Sequence, residues 1–163
     1  MLGQKVTVGD VCFVTQKGKV LLLRRNKRLM QGKWTGVGGK TQFLEEPLES
    51  CIREVKEETG LDIKPELRGV ATTINIVDNS KWFLFVYIAD QFTGEVKECN
   101  EGTLEWIDEN ELYKKNLIGF IEKMLPYVFD KKEGIFTGKF LHDDEGNVKS
   151  YVLRRGKETL ESR

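Results

Sequence analysis

The chain has a single histidine, His142, and only three cysteines, Cys12, Cys51 and Cys99. An odd count with no metal-ligand spacing gives no support for a disulfide framework or a cysteine metal site. Cys12 and Cys51 fall in apolar patterns, which suits reduced, buried thiols in a cytoplasmic protein. No apolar run approaches the ~18 residues of a membrane span, and MLGQKVTVGD lacks the basic-then-apolar pattern of a secretion signal. Net charge is missing as well. The 26 Lys and Arg residues balance 26 Asp and Glu, so no overall basic field argues for a nucleic-acid polymer as partner. There is no internal repeat and no low-complexity linker. The 163 residues therefore read as one domain over 1–154, large enough to bury a core without staples, with a charged tail over 155–163 that is expected to fray. Monomer and homodimer both stay open.

What is present is a regular alternation of β-rich runs and two helical patterns. Val6 to Thr15 and Lys19 to Arg24 predict a hairpin turning at Gln16-Lys17-Gly18. Asn26 to Lys33 reads as a loop. Trp34 to Lys40, with Gly36, Gly38 and Gly39, reads as a strand running into a functional loop. Glu46 and Pro47 open a helix that Gly60 closes, with Leu48, Cys51, Ile52 and Val55 as its apolar stripe. Glu66 to Val77, Lys81 to Ala89 and Leu104 to Ile107 predict further strands. A short helical piece is expected from Asp108 or Glu109, a second helix over Asn116 to Phe129, and a closing hairpin from Gly134 to Leu141 and Val148 to Leu153. This order implies an α/β fold with a mixed sheet between helices.

The densest chemistry lies in GKTQFLEEPLESCIREVKEETGL, Gly39 to Leu61. Six glutamates fall within fourteen residues, Glu45 to Glu58. On a helix, Glu54, Glu57 and Glu58 share a face and repel one another unless a cation sits there. Hard divalent ions such as Mg²⁺ take oxygen ligands and bridge carboxylates to phosphates, which makes the segment a candidate metallophosphate site. A plainer alternative is a solvated helix face, with Arg53 pairing to Glu49 and Glu57 for ~0.2–0.5 kcal/mol each.

The same residues resemble the signature of the Nudix hydrolases: Gly39, Glu45, Arg53, Glu54, Val55, Glu57, Glu58, Gly60 and Leu61. Seven fixed residue types at roughly 7% background each match by chance on the order of 10⁻⁸ per starting position. The preceding GKWTGVGGK is similar to the branch that sanitises nucleotide pools. The resemblance implies an α/β/α sandwich and Mg²⁺-dependent hydrolysis, with Mn²⁺ as a second candidate, of a nucleoside triphosphate such as 8-oxo-dGTP to monophosphate and pyrophosphate. It implies Glu57 and Glu58 as principal metal ligands, with Glu54 as a further ligand and, in some members, the general base. The carbonyl of Gly38 is a further ligand in the family's geometry. Arg53 is implied to orient the glutamates through bidentate contacts.

Other candidates stand outside the box. The resemblance also implies an acid from a downstream loop in the metal shell, and Glu101, five residues before Trp106, is the candidate for it, although Glu95, Glu98 and Glu105 crowd the same region. Arg24 and Arg25 end a strand and offer planar forks for phosphate. Trp34, Phe43 and Trp82 are possible stacking surfaces or core, and Trp34 and Lys40 are taken with Asn116 as substrate-binding candidates. His142 is expected at the surface. Some features depart from the family pattern: Gln42 and Leu44 stand where many relatives have Glu and Gly. The segment Asn116-Leu117-Ile118-Gly119-Phe120 lacks the Trp and paired Asp that some members use to read an oxidised purine, leaving Asn116 as its one polar base-reading group. Nucleotide-sugar and dinucleoside substrates are disfavoured by Ile76 to Asn79, where relatives acting on them carry Pro or Tyr. A non-catalytic nucleotide sensor is disfavoured because no box glutamate is lost.

Overall fold

The computed structural model describes residues 4–162. Its first hairpin joins β1 (Lys5–Gln16) to β2 (Lys19–Arg25) through Lys17 and Gly18, both at positive φ (48° and 75°). Two left-handed residues give a turn whose twist matches that of the strands, and glycine adopts that shape without a Cβ clash. After β3 (Trp34–Thr35) the chain runs beside β1 as a near-strand, bridging Cys12 to Val37 and Gly9 to Lys40. Helix α1 (Pro47–Thr59) follows, with Pro47 in its first turn, a capping box between Glu46 and Glu49, and left-handed Gly60 closing it.

The remaining elements are β4 (Asp62–Ile63), β5 (Glu66–Asn75), β6 (Ser80–Ala89), β7 (Phe92–Thr93), β8 (Gly102–Asp108), a 3₁₀ helix (Glu109–Lys114), α2 (Gly119–Phe129), β9 (Phe136–His142), β10 (Val148–Arg155) and β11 (Glu158–Glu161). The main sheet runs β11-β10-β9-β5-β6-β1-β2-β3, with β8 also on β2, while β4 and β7 pair separately. The β1/β6 and β5/β9 pairs are parallel and the rest antiparallel, so the sheet is mixed. Alternation along β1 sends Cys12 and Val14 into the core shared with α1, and Val11 and Phe13 into the core shared with α2. A strand covered on both faces has to be apolar at consecutive positions. The result is the expected α/β/α sandwich.

Several local expectations change. Cys51 and Val55 are buried on α1, but Leu48 and Ile52 are 38% and 39% exposed, and the inward face takes Ser50 and Thr59 instead. These polar groups are satisfied where they sit: Ser50 Oγ donates to Asp10 Oδ2 (2.6 Å) and Thr59 Oγ1 to the Val55 carbonyl (2.6 Å). Helix α2 begins at Gly119, not Asn116, because Asn116 to Ile118 is extended and exchanges backbone bonds with Trp34 (2.9 and 3.0 Å). The tail expected to fray contributes β11, paired along Val152–Arg155. Arg155 is itself buried, donating to the Tyr127 carbonyl and pairing with Asp130 at the end of α2. No described helix is long and apolar enough to cross a membrane.

Candidate active site

The glycines of the loop from Gly36 to Lys40 lie so close to β1 and α1 that a side chain at those positions would not fit. A Cβ on Gly38 would meet the Asp10 carbonyl oxygen at 2.0 Å, and one on Gly39 would meet the Glu54 carboxylate at 2.6–2.8 Å. Asp10 N–H donates to Gly39 O (2.9 Å) and Cys12 N–H to Val37 O (2.7 Å), while the Gly38 carbonyl between them accepts no backbone bond from β1. The glycines thus let the loop press its backbone onto the carboxylate of α1.

Arg53 organises that helix face. Its Nη1 donates to Glu54 Oε1 (2.9 Å) and Glu57 Oε2 (3.1 Å), its Nη2 to Glu45 Oε2 (3.0 Å) and the Lys40 carbonyl (3.2 Å), and its Nε to Glu45. One planar guanidinium therefore ties three box glutamates to the loop, the orienting role implied by the resemblance. Glu45 is held below the usual carboxylate range, chiefly by its bond from Arg53.

Glu58 has no such partner. Its Oε2 is buried without a hydrogen bond, and burial pushes its carboxyl up to about 8, helped by the charges of Glu54 and Glu101. Asp10, under α1, is pushed up to about 6, again mainly by burial and against the bond from Ser50. An orphaned, buried carboxylate oxygen among further carboxylates is the environment a hard divalent cation satisfies. Among the described residues no three acidic, His or Cys side chains converge into a ready-made metal cage, since Arg53 occupies Glu54 and Glu57. In kind, the donor set of Glu54, Glu57, Glu58, Glu101 and the Gly38 carbonyl fits Mg²⁺ or Mn²⁺.

A slot of about 230 Å³ opens from this acid cluster. Gly38, Glu58, Arg25 and Glu101 line one end; Glu101 is ion-paired with Lys27. Burial lowers the Arg25 pKa, against the raising effects of Glu101 and Glu58, so this cation faces both acids from a half-buried position. The slot continues over Trp82 and Leu84, beneath Met30, Ile118 and Phe120, to Thr73, Asn75 and His142.

Of the residues expected to touch substrate, Arg25 and, among the possible stacking surfaces, Trp82 line the slot. Arg24 is exposed, and Trp34 is core, capped by Lys115 Nζ 5.1 Å from its ring centroid. Lys40 sits beside the site with Nζ 5.9 Å from the Trp82 ring centroid. Asn116 is exposed, accepting from Lys33 Nζ (3.2 Å), because the extended 116–118 segment turns it away. Phe43 is 99% exposed. His142, expected at the surface, is buried at 5% exposure. The residues that sequence reasoning missed, Thr73 and Asn75, left a signal: with Ala71 they form one face of β5, and two buried polar residues there mark a lined cavity rather than plain core.

Comparison with known proteins gives the family. The NUDIX domain family matches residues 4–128. The uncharacterized Nudix hydrolase YvcI of Bacillus subtilis is 36% identical over 148 residues, covering 87% of this chain and 90% of that protein. The oxidized purine nucleoside triphosphate hydrolase of Mus musculus is 27% identical over 143 residues, with the same coverage of 87% and 90%. The crystal structure of a mutator MutT protein from Bacillus halodurans superposes with a TM-score of 0.81 at 29% identity, over 90% of this chain and 97% of that one. The chain belongs to the Nudix family of hydrolases.

Proposed function

We propose that this hydrolase cleaves a nucleoside triphosphate to the monophosphate and pyrophosphate, with oxidised purine nucleotides such as 8-oxo-dGTP among its substrates. The observation that carries this reading is a slot that changes character along its length, from Glu58, Glu101 and Arg25 at one end to Trp82, Phe120 and His142 at the other. A charged end suits phosphates and their cation, and an apolar, aromatic end suits a base. The oxidised-purine substrate named for the mouse relative supports the same class.

Glu58, Glu57, Glu54, Glu101 and the Gly38 carbonyl are the residues that would hold Mg²⁺. When bound, a divalent ion neutralises phosphate oxygens and makes water a better nucleophile. The chain's own contribution is positional. Arg25 offers a guanidinium to phosphate oxygens, and Arg53 keeps Glu54 and Glu57 aimed by sharing one nitrogen between them. Glu54, beside Gly39, is the carboxylate to which we assign the proton of an attacking water. All box glutamates are present, so a sensor without activity finds no support. The deciding experiment is a panel of nucleoside triphosphates, ADP-ribose and diadenosine polyphosphates assayed with Mg²⁺ and with products separated. Triphosphates releasing intact pyrophosphate are expected to lead; a dominant rate on ADP-ribose removes the reading.

A further inference from the structure

His142 closes the slot at the end away from the acids, and its chemistry there is fixed by a neighbour. Its Nδ1 lies 2.8 Å from the Asp143 carbonyl oxygen, an atom that can only accept. In the neutral imidazole Nδ1 therefore carries the proton, and Nε2 is left with a lone pair. Nε2 has no hydrogen-bond partner among the described residues. The ring is 95% out of solvent yet lines the cavity, held against Phe120 with centroids 5.1 Å apart. An acceptor lining a cavity becomes costly once a ligand displaces the solvent that reaches it, unless that ligand donates to it.

Its surroundings say what that donor belongs to. Asn75, the register partner of His142, is pinned by donating to Asp144 Oδ1 (2.8 Å) and accepting from the Val77 N–H (2.9 Å). The end of the slot is thus rigid, which suits recognition. Trp82 and Phe120 give the approach apolar walls. From β2, where Arg25 sits, to β9, where His142 sits, the sheet crosses four strand spacings, about 19 Å at ~4.8 Å each. That span separates the phosphate end from the far end of an extended nucleotide.

We propose that His142 is a specificity-determining residue that reads the base: its Nε2 accepts a hydrogen bond from an amino or ring N–H on the edge of a purine lying between Trp82 and Phe120. This rests on the nucleotide reading above and adds the base-reading group that the 116–120 segment lacks. Purines that carry such a donor, adenine, guanine and 8-oxoguanine, are accepted; a purine without one leaves Nε2 unsatisfied.

The test compares ATP and GTP with purine riboside triphosphate, whose base has no N–H. Wild-type kcat/KM should fall roughly tenfold or more on the donor-free base, the effect of one acceptor covered by a ligand that gives it no hydrogen bond. His142→Leu should lower kcat/KM for ATP and GTP by a similar factor, chiefly through KM, and leave purine riboside triphosphate within about twofold. His142→Gln, whose amide oxygen is again an acceptor, should restore part of the preference. The same preferences are read by calorimetric binding of the three nucleoside monophosphates, which have no anhydride to cleave. A His142-dependent preference in binding without triphosphate turnover would reject the proposed function and keep this inference. Turnover with no wild-type preference for N–H-bearing bases, or a His142→Leu loss equal on all three, overturns the inference and keeps the function. Wild-type data alone decide the first point even if His142→Leu fails to fold.

Discussion

The two ends of the slot are held by opposite means. At one end like charges are forced together, and what restrains them is a single guanidinium that spans Glu45, Glu54 and Glu57 while Glu58 goes without. At the other, Asn75 and His142 sit on neighbouring strands, held by backbone groups of Val77 and Asp143 and by the Asp144 carboxylate, with Asp78 in the same lining. The acid end is therefore one that a bound cation would complete. The base end is complete except for one acceptor and needs only a matching donor. Perturbing charge should damage catalysis at the first end, and perturbing hydrogen-bond pattern should alter selectivity at the second.

The largest expected effect is at the acid end. Chelation should abolish turnover and Mg²⁺ should restore it. Glu58→Gln and Glu57→Gln should each lower kcat by about 10²-fold or more, as loss of other electrostatic catalytic groups does, with circular dichroism unchanged. Near-wild-type rates in both variants would show that the charge cluster is not the reactive end. Next in size is Arg53→Lys. An ammonium keeps the charge but cannot reach Glu45, Glu54 and Glu57 together, so kcat should drop about 10–100-fold, the usual cost of losing a group that orients metal ligands. Unchanged kcat would mean that charge balance alone, not the fork, holds the acids.

Glu101 divides the two ends less sharply, since it lines the slot yet is also paired with Lys27. Glu101→Gln should cost more rate than Glu98→Gln or Glu105→Gln, measured side by side. Three equal, small losses would place Glu101 with ordinary loop charges.

The charge cluster should also be visible in stability without any substrate. The Glu58 carboxyl is raised from 4.5 to about 8 and that of Asp10 from 3.8 to about 6. Across those windows the folded state binds more protons than the unfolded one, so stability falls as pH rises. The contribution is fully present below the unfolded values and is lost as pH passes through the folded ones. Metal-free protein should therefore show a Tm that declines from about pH 5 to pH 8 more steeply than Glu58→Gln does, and Mg²⁺ should flatten the slope. A wild-type slope as flat as the variant's would mean that Glu58 is not crowded as described.

The contrast between the ends also explains what could be read in advance. The acid end is contiguous: Gly38 to Glu58 brings its candidate ligands together by loop proximity and helical spacing, both visible in one dimension. Glu101 needed only one long-range step. The base end gathers Thr73, Trp82, Phe120 and His142 from β5, β6, α2 and β9, and such a meeting depends on strand order, which alternation of residues does not encode. Helix α1 shows the same limit on a smaller scale. Offsets of three and four found Cys51 and Val55 but also picked Leu48 and Ile52, because hydrophobicity does not say that Ser50 has Asp10 waiting inside. Similarly, β11 reads as a charged tail since its four residues are all exposed and are held by backbone pairing to β10.

The smallest expected effect belongs to Asn116, the residue that its segment alone would nominate for base reading. Its side chain is exposed and outside the slot, with one contact to Lys33 at 3.2 Å. What the fold uses at this position is the backbone carbonyl, which accepts from Trp34 N–H at 2.9 Å and would do so with any side chain. Asn116→Ala should therefore change kcat/KM by less than about twofold on every base, and stability by less than about 0.5 kcal/mol, the range for surface substitutions. Measured beside His142→Leu on the same three triphosphates, it separates the two sources of base readout: a selectivity change in Asn116→Ala with none in His142→Leu would move recognition from the β5–β9 end of the sheet to the segment before α2.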